Sequence, residues 1–156
     1  EFTDKPVWIT GFANCMDSFF FGDRDLAGNF ALKKAAERAY RKAGIKDPKK
    51  AIDLVEVMDA YAYQQPMWME GLGFCEEGQG TAFIDDGGPG KHKVNLSGGM
   101  LAGDPVIISG LYRAANATLQ LRGEAGDMQA PDVKSAVAHS TNGPAGQFHS
   151  VLILEA

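Results

Sequence analysis

Residues 93–123, KVNLSGGMLAGDPVIISGLYRAANATLQLRG, decide how this chain is read. Val94 to Leu96 forms an extended entry to Ser97-Gly98-Gly99, a turn whose paired glycines let backbone approach whatever lies above it. Asp104-Pro105 then predicts a helix start, because a short polar cap and proline at the first helical position both suit one. Val106, Ile107, Gly110, Leu111, Ala114, Ala115, Thr118 and Leu119 are small or apolar, which predicts a helix buried over most of its surface. Arg122 and Gly123 supply a cation and a glycine for its C-terminal end. A buried helix whose start faces a glycine loop suits an anion or a developing oxyanion.

On the N-terminal side, residues 6–13 (PVWITGFA) alternate as a strand, and residues 14–22 form a loop carrying Phe19-Phe20-Phe21. Three adjacent aromatics cannot all enter one core. The loop either folds irregularly over the core or offers some of them to a partner or substrate. Asp23 or Asp25 predicts a helix cap, with Leu26, Phe30, Ala36 and Tyr40 as the apolar stripe and Gly44 as the stop. Lys33, Lys34, Arg38, Arg41 and Lys42 make the other face basic, which reads as solvated, with a phosphate contact as the alternative. Residues 52–63 run from a strand into a loop, residues 65–74 form a short helix, and residues 76–93 form a long polar loop. GGPGKHK within that loop lacks the glycine spacing and the Ser/Thr of a phosphate loop. Beyond the central helix, residues 124–134 link to strands over 135–139 and 147–155, joined by a glycine turn at 140–146. The order β-α-β-α, loop, α, β, β predicts an α/β domain with a mixed sheet and helices on its faces.

With 156 residues, 45% of them hydrophobic, the chain is one domain with a real core. A net charge of −5 with no basic block argues against nucleic-acid binding. No apolar run reaches the ~20 residues of a membrane span, and no secretory signal is apparent. Cys15 and Cys75 lie far apart without CxxC spacing, which fits a reducing, cytoplasmic setting and small core residues. Asn-x-Ser/Thr matches at Asn95 and Asn116 are then chance.

Asn95-Leu96-Ser97-Gly98-Gly99 followed by Gly103-Asp104-Pro105 resembles the thiolase segment Asn-Pro-Ser-Gly-Gly and then Gly-His-Pro. The likeness is to thiolases of the sterol-carrier-protein type and their archaeal and bacterial relatives, and it covers the C-terminal half of such a protein. It implies a thiolase-like half-fold with a mixed, five-stranded type of sheet, pairing with an N-terminal half that carries the nucleophilic cysteine. It also implies acyl-CoA as substrate, with no cofactor beyond coenzyme A as substrate or product. The remaining expectations are a homo- or hetero-oligomer and a small zinc-ribbon and OB-fold subunit as a further partner.

Three thiolase motifs then fall on altered residues. The Asn-Glu or His-Asp pair corresponds to Met58-Asp59, followed by Ala60 and Tyr61. A thioether donates no hydrogen bond, so Met58 cannot orient a water as a polar residue would. Tyr61 is a candidate to line the cavity. The histidine of Gly-His-Pro is Asp104, which is either a helix cap or a substrate-facing acid or base. The motif Cys-x-Gly-Gly-Gly-x-Gly corresponds to Ser140 through Gly146, so Ser140 replaces the second cysteine and Gly143 shapes the turn. His139 and His149 flank that turn and carry the one side-chain type here that titrates near neutrality, so either is a candidate to replace the missing histidine. The expected catalytic set is Asp104, His149, Ser140 and Gly99. The expected substrate contacts are Met58, Tyr61, Asn95, Ser97, Gly98, His139 and Gly143, with no metal. Two functions follow: an atypical enzyme for C–C bond chemistry beside a CoA thioester (acyltransferase or retro-aldolase type), or a silent scaffold for an active paralogue.

Overall fold

A computed structural model describes residues 3–85 and 93–156. GGPGKHK, its last lysine apart, lies outside the described residues, as does that part of the long loop. The chain runs β1 (Trp8–Met16), α1 (Phe30–Ala43), α2 (Pro48–Ala51), β2 (Leu54–Glu56), α3 (Gln64–Gly71), α4 (Gly80–Asp85), β3 (Lys93–Val94), α5 (Gly99–Ala102), α6 (Ser109–Arg122), β4 (Ser135–Asn142) and β5 (Phe148–Glu155). One five-stranded sheet results, in the order β1-β5-β4-β2-β3. β1, β5 and β4 pair antiparallel, whereas β4, β2 and β3 pair parallel. The expected mixed α/β sheet is the one observed.

The strands put alternate residues on opposite faces. Val137, Val151 and Ile153 join Leu32, Ala35, Ala36, Ala39 and Tyr40 of α1, and Trp68 and Met69 of α3, in one core. Ala136, Ala138 and Leu154 join Leu54 of β2 and Ala117 and Leu121 of α6 in a second core on the other face. α6 packs chiefly on β4 and β2. α6 reaches β5 through Leu154, and the edge strand β1 lies beyond. Phe12 pairs with Leu152, which in turn pairs with Ala138, so Phe12 projects to the α6 side, and so does Ile9 through Leu154. Both are exposed, Ile9 by 62% and Phe12 by 45%.

Several expected boundaries move. α1 begins at Phe30 behind Asn29, not at Asp23 or Asp25. Its buried stripe is Ala31, Leu32, Ala35, Ala36, Ala39 and Tyr40, while Leu26 and Phe30 are exposed. The basic face is engaged locally: Lys33 pairs with Glu77, Lys34 with Glu37, and Lys42 donates to the Phe12 carbonyl. α6 starts at Ser109, because Val106 holds a positive φ of 55° that helical geometry does not admit. The expected burial of the central helix is also corrected. Ile107 is 94% exposed and Leu111 68%, while Arg113 and Gln120 face inward. Phe19, Phe20 and Phe21 are all exposed, and Arg24 ties their loop to the Pro144 carbonyl.

Candidate functional site

The altered motif positions meet at one end of the sheet, on the α6 face. Ser140 extends the row of Ala136 and Ala138, and it lies so close under α6 that a β-carbon on Gly110 would overlap its hydroxyl. The same hydroxyl donates to the Met58 sulfur at 3.7 Å, and the Thr141 amide donates to that sulfur at 3.4 Å. One residue before Gly110, Ser109 donates to Asp104 Oδ1 at 3.0 Å. Asp104 also accepts the Val106 amide at 2.7 Å, so its carboxylate closes the turn before α6 and does not cap the helix itself. Met58, Ser140, Gly110, Ser109 and Asp104 form one continuous chain of contacts, with Asp104 at its exposed end.

The glycine loop sits beside this chain, fastened from below. Asn95 bridges to β2 in both directions: its amide donates to the Val57 carbonyl at 3.1 Å and its oxygen accepts the Val57 amide at 2.7 Å. Asp59 accepts the Met100 amide at 2.8 Å, and Gly99 is buried where a β-carbon would collide with that carboxylate. Gly98 (φ 85°) lies on open surface. The loop thus offers backbone outward while its side chains point in. Tyr61 stacks on Tyr63 with centroids 5.8 Å apart, both rings exposed.

The two histidines lie on the opposite face. His139 follows Val137 in the α1-side row, and Trp68 of α3 packs against both rings at 5.4 and 4.9 Å. The Gly146 carbonyl can only accept, so the 2.9 Å contact places a proton on His149 Nε2. His149 Nδ1 then accepts from His139 Nε2 at 2.9 Å, and among the described residues His139 Nδ1 is left buried without a partner. Burial lowers His149 to about 4, with the Arg24 charge adding to it and the Gly146 carbonyl and Asp17 opposing. Burial and the neighbouring ring also hold His139 well below its usual range. The sheet separates this pair from Ser140 and Met58; what His149 holds is Gly146, at the end of the turn that begins with exposed Gly143.

A second polar cluster, which the sequence reading missed, lies behind the loop. Arg113 and Glu56, exposed by 2% and 0%, pair at 3.1 Å, and Ser97 and Asn116 join them. Burial pushes the Glu56 carboxyl up to about 7, against the pull of Arg113. The signal was present as one glutamate inside the apolar IDLVEV and one arginine inside an apolar helix.

Residues 14–156 match the family described as thiolase C-terminal domain-like. The chain belongs to the thiolase family. It is 35% identical over 151 residues to the acetyl-CoA acetyltransferase of Methanothermobacter thermautotrophicus, covering 94% of this chain and 39% of that one. It is 39% identical over 112 residues to sterol carrier protein 2 of Oryctolagus cuniculus, covering 69% of this chain and 20% of that protein. Among solved structures it resembles the Ltp2-ChsH2(DUF35) aldolase, with a TM-score of 0.84 and 25% identity over 97% of this chain and 40% of that one. The chain therefore spans two-fifths or less of these thiolase relatives.

Proposed function

We propose that this chain is the C-terminal part of an atypical thiolase-family enzyme that makes or cleaves a C–C bond next to an acyl-CoA thioester. The observation that carries this reading is the convergence of Met58, Ser140 and the Asp104–Ser109 turn beside the serine-glycine-glycine loop. Its relatives include an acetyltransferase and an aldolase, which fits a retained frame with altered chemistry. In this reading the backbone at Gly98 and Gly99 approaches the thioester, with Ser97 and Asn95 holding it from below. Gly143 shapes the neighbouring turn, and Tyr61 flanks the opening. Asp104 is the ionisable group at the site's exposed edge and handles the proton. Ser140 supplies a hydroxyl. His139 and His149 hold the turn and take no part in proton transfer.

A nucleophile-bearing N-terminal half completes the site. The exposed rim along β1 is where a helix of that half would pack. Ile9, Phe12 and Leu111 offer it apolar contacts. A small additional subunit of zinc-ribbon and OB-fold type is proposed on the resemblance alone.

Met58 favours a second reading, a silent scaffold. Its sulfur occupies the place of a polar orienting group and takes hydrogen bonds from Ser140 and Thr141. Turnover of acetoacetyl-CoA and of an aldol-type CoA thioester by the complete assembly separates the two readings. Asp104→Ala and Ser140→Ala are expected to lower kcat by about 100-fold, the low end for lost acid–base help. Unchanged rates in both remove these roles, and an intact assembly without turnover of either thioester establishes the scaffold.

A further inference from the structure

We propose that Arg113 and Asn116 are positioning residues that fix the Ser97-Gly98-Gly99 loop by way of one hydroxyl, that of Ser97. Asn116 Nδ2 donates to Ser97 Oγ at 2.9 Å and Arg113 Nη1 donates to it at 3.3 Å. The hydroxyl in turn donates to Glu56 Oε2 at 3.5 Å. The two donors are three residues apart on α6, so they lie on one face of that helix, the face turned toward β2. Arg113 Nη1 is shared between Ser97 and Glu56, so the hydroxyl stands where the strand, the helix and the loop join.

The loop's other fastenings all run to the β2 end: Asn95 to Val57, and Met100 to Asp59. They fix its height above the sheet. Relative to α6 its directional fastening is Ser97, beside the apolar packing of Leu96 on the core that α6 shares. The space behind the hydroxyl does not brace it, because a cavity of about 80 Å³ lies there, lined by Glu56, Asn116, Gln120 and Met128 among others. Among the described residues, Glu56 Oε1 and Arg113 Nε are buried beside it without partners. A loop held by a few directional bonds over open volume follows the helix that supplies them. The opposite side of α6 carries exposed Leu111 and Tyr112. Under the function proposed above, on which this step rests, that side meets the N-terminal half. Docking of the missing layer is then transmitted through one turn of helix to the backbone that approaches the thioester.

Hydrogen exchange of the complete assembly tests this. The amides of Gly98, Met100 and Ala102 are bonded to the Asn95 carbonyl, Asp59 and the Gly98 carbonyl, and they report the loop. Ser97→Ala is expected to speed exchange across residues 98–102 by roughly tenfold, the loss of one or two ordinary hydrogen bonds. Exchange in α1 stays as in the wild type, and Ser97→Thr restores the loop. Asn116→Ala speeds the same amides, and combining it with Ser97→Ala adds nothing, because both act through the same hydroxyl. Additive effects, an unchanged loop in Ser97→Ala, or faster exchange throughout the chain would each overturn the assignment. Adding acetyl-CoA to the wild-type assembly is a separate arm. Unaltered exchange at residues 98–102 there counts against the thioester reading, while the Ser97 and Asn116 results still decide the positioning role.

Discussion

α1 and α6 have the same length, 14 residues, and end the same way, on left-handed glycines Gly44 (φ 72°) and Gly123 (φ 71°). Otherwise they are inverted. α1 buries Leu32, Ala35, Ala36 and Ala39 and turns Glu37, Arg38, Arg41 and Lys42 to solvent. α6 buries Ser109, Arg113 and Gln120 among Ala117 and Leu121, and turns Leu111, Tyr112 and Leu119 outward. α1 is an outer layer finished against water. α6 wires its polar groups to the sheet and the loop and leaves Leu111, Tyr112 and Leu119 exposed, as an inner layer of the proposed assembly would. Among the described residues, no helix is long and apolar enough to cross a membrane.

The sharpest way to break this contrast is to remove what each helix buries. Arg113→Ala strands Glu56 in the interior, and leaving one buried charge without its partner costs about 3–5 kcal/mol. Leu32→Ala on α1 opens a cavity at a similar cost, about 2–5 kcal/mol. The two differ in what restores them. Arg113→Ala combined with Glu56→Ala removes both charges and should regain part of the loss in urea unfolding of the assembly, which no second truncation does for Leu32. A double variant no more stable than Arg113→Ala would show that the inner face of α6 is not held by that pair.

The two faces also respond oppositely to pH. Glu56, on the α6 side, is raised from 4.5 to about 7. Its contribution is complete below 4.5 and is lost as pH rises through 7. His149, on the α1 side, is lowered from 6.5 to about 4. Its contribution is complete above 6.5 and is lost as pH falls through 4. Each spans about 3 kcal/mol at its limit. Between pH 4.5 and 6.5 the slope of Glu56 opposes that of His149 and of its buried neighbour His139, which is lowered as well. Glu56→Gln should leave stability that rises with pH across that window, and replacing both histidines, His139→Gln with His149→Gln, should leave stability that falls. Parallel curves for these variants would contradict the opposite shifts of the carboxyl and the imidazoles.

Much of the frame was legible in the sequence. The apolar run VLIL within QFHSVLILE marked β5, and glycines after the last apolar turn located the ends of α1 and α6. The start of α6 was not legible, because Asp-Pro is an ordinary helix opening and nothing in the sequence announces a positive φ at Val106. The orientation of α6 was hidden as well. An apolar helix face reads as buried whether it is covered by its own chain or by another. The site was half legible. Family resemblance aligned Met58, Asp104 and Ser140, but strand alternation already separates His139 from Ser140, since neighbours on a strand face opposite sides. Alternation alone does not place His149, which shares the face of His139 through its pairing with Thr141.

The outer face of α6 provides the smallest and most specific effect. Leu111 is 68% exposed, so Leu111→Ala removes little that the chain itself buries, and a solvent-facing change of this kind moves stability by less than about 0.5 kcal/mol. If the N-terminal half covers that face, the same side chain becomes buried on association, and its loss costs about 1.5–3 kcal/mol. At roughly tenfold in Kd per 1.4 kcal/mol, the halves should bind some 10- to 100-fold more weakly. Arg38→Ala on the outer face of α1 is the matched control and should leave both quantities unchanged. Titrating the separately produced halves by calorimetry measures the two variants side by side. Equal, wild-type affinity for both would mean that α6 is as finished against water as α1, and the inversion between the helices would carry no information about assembly.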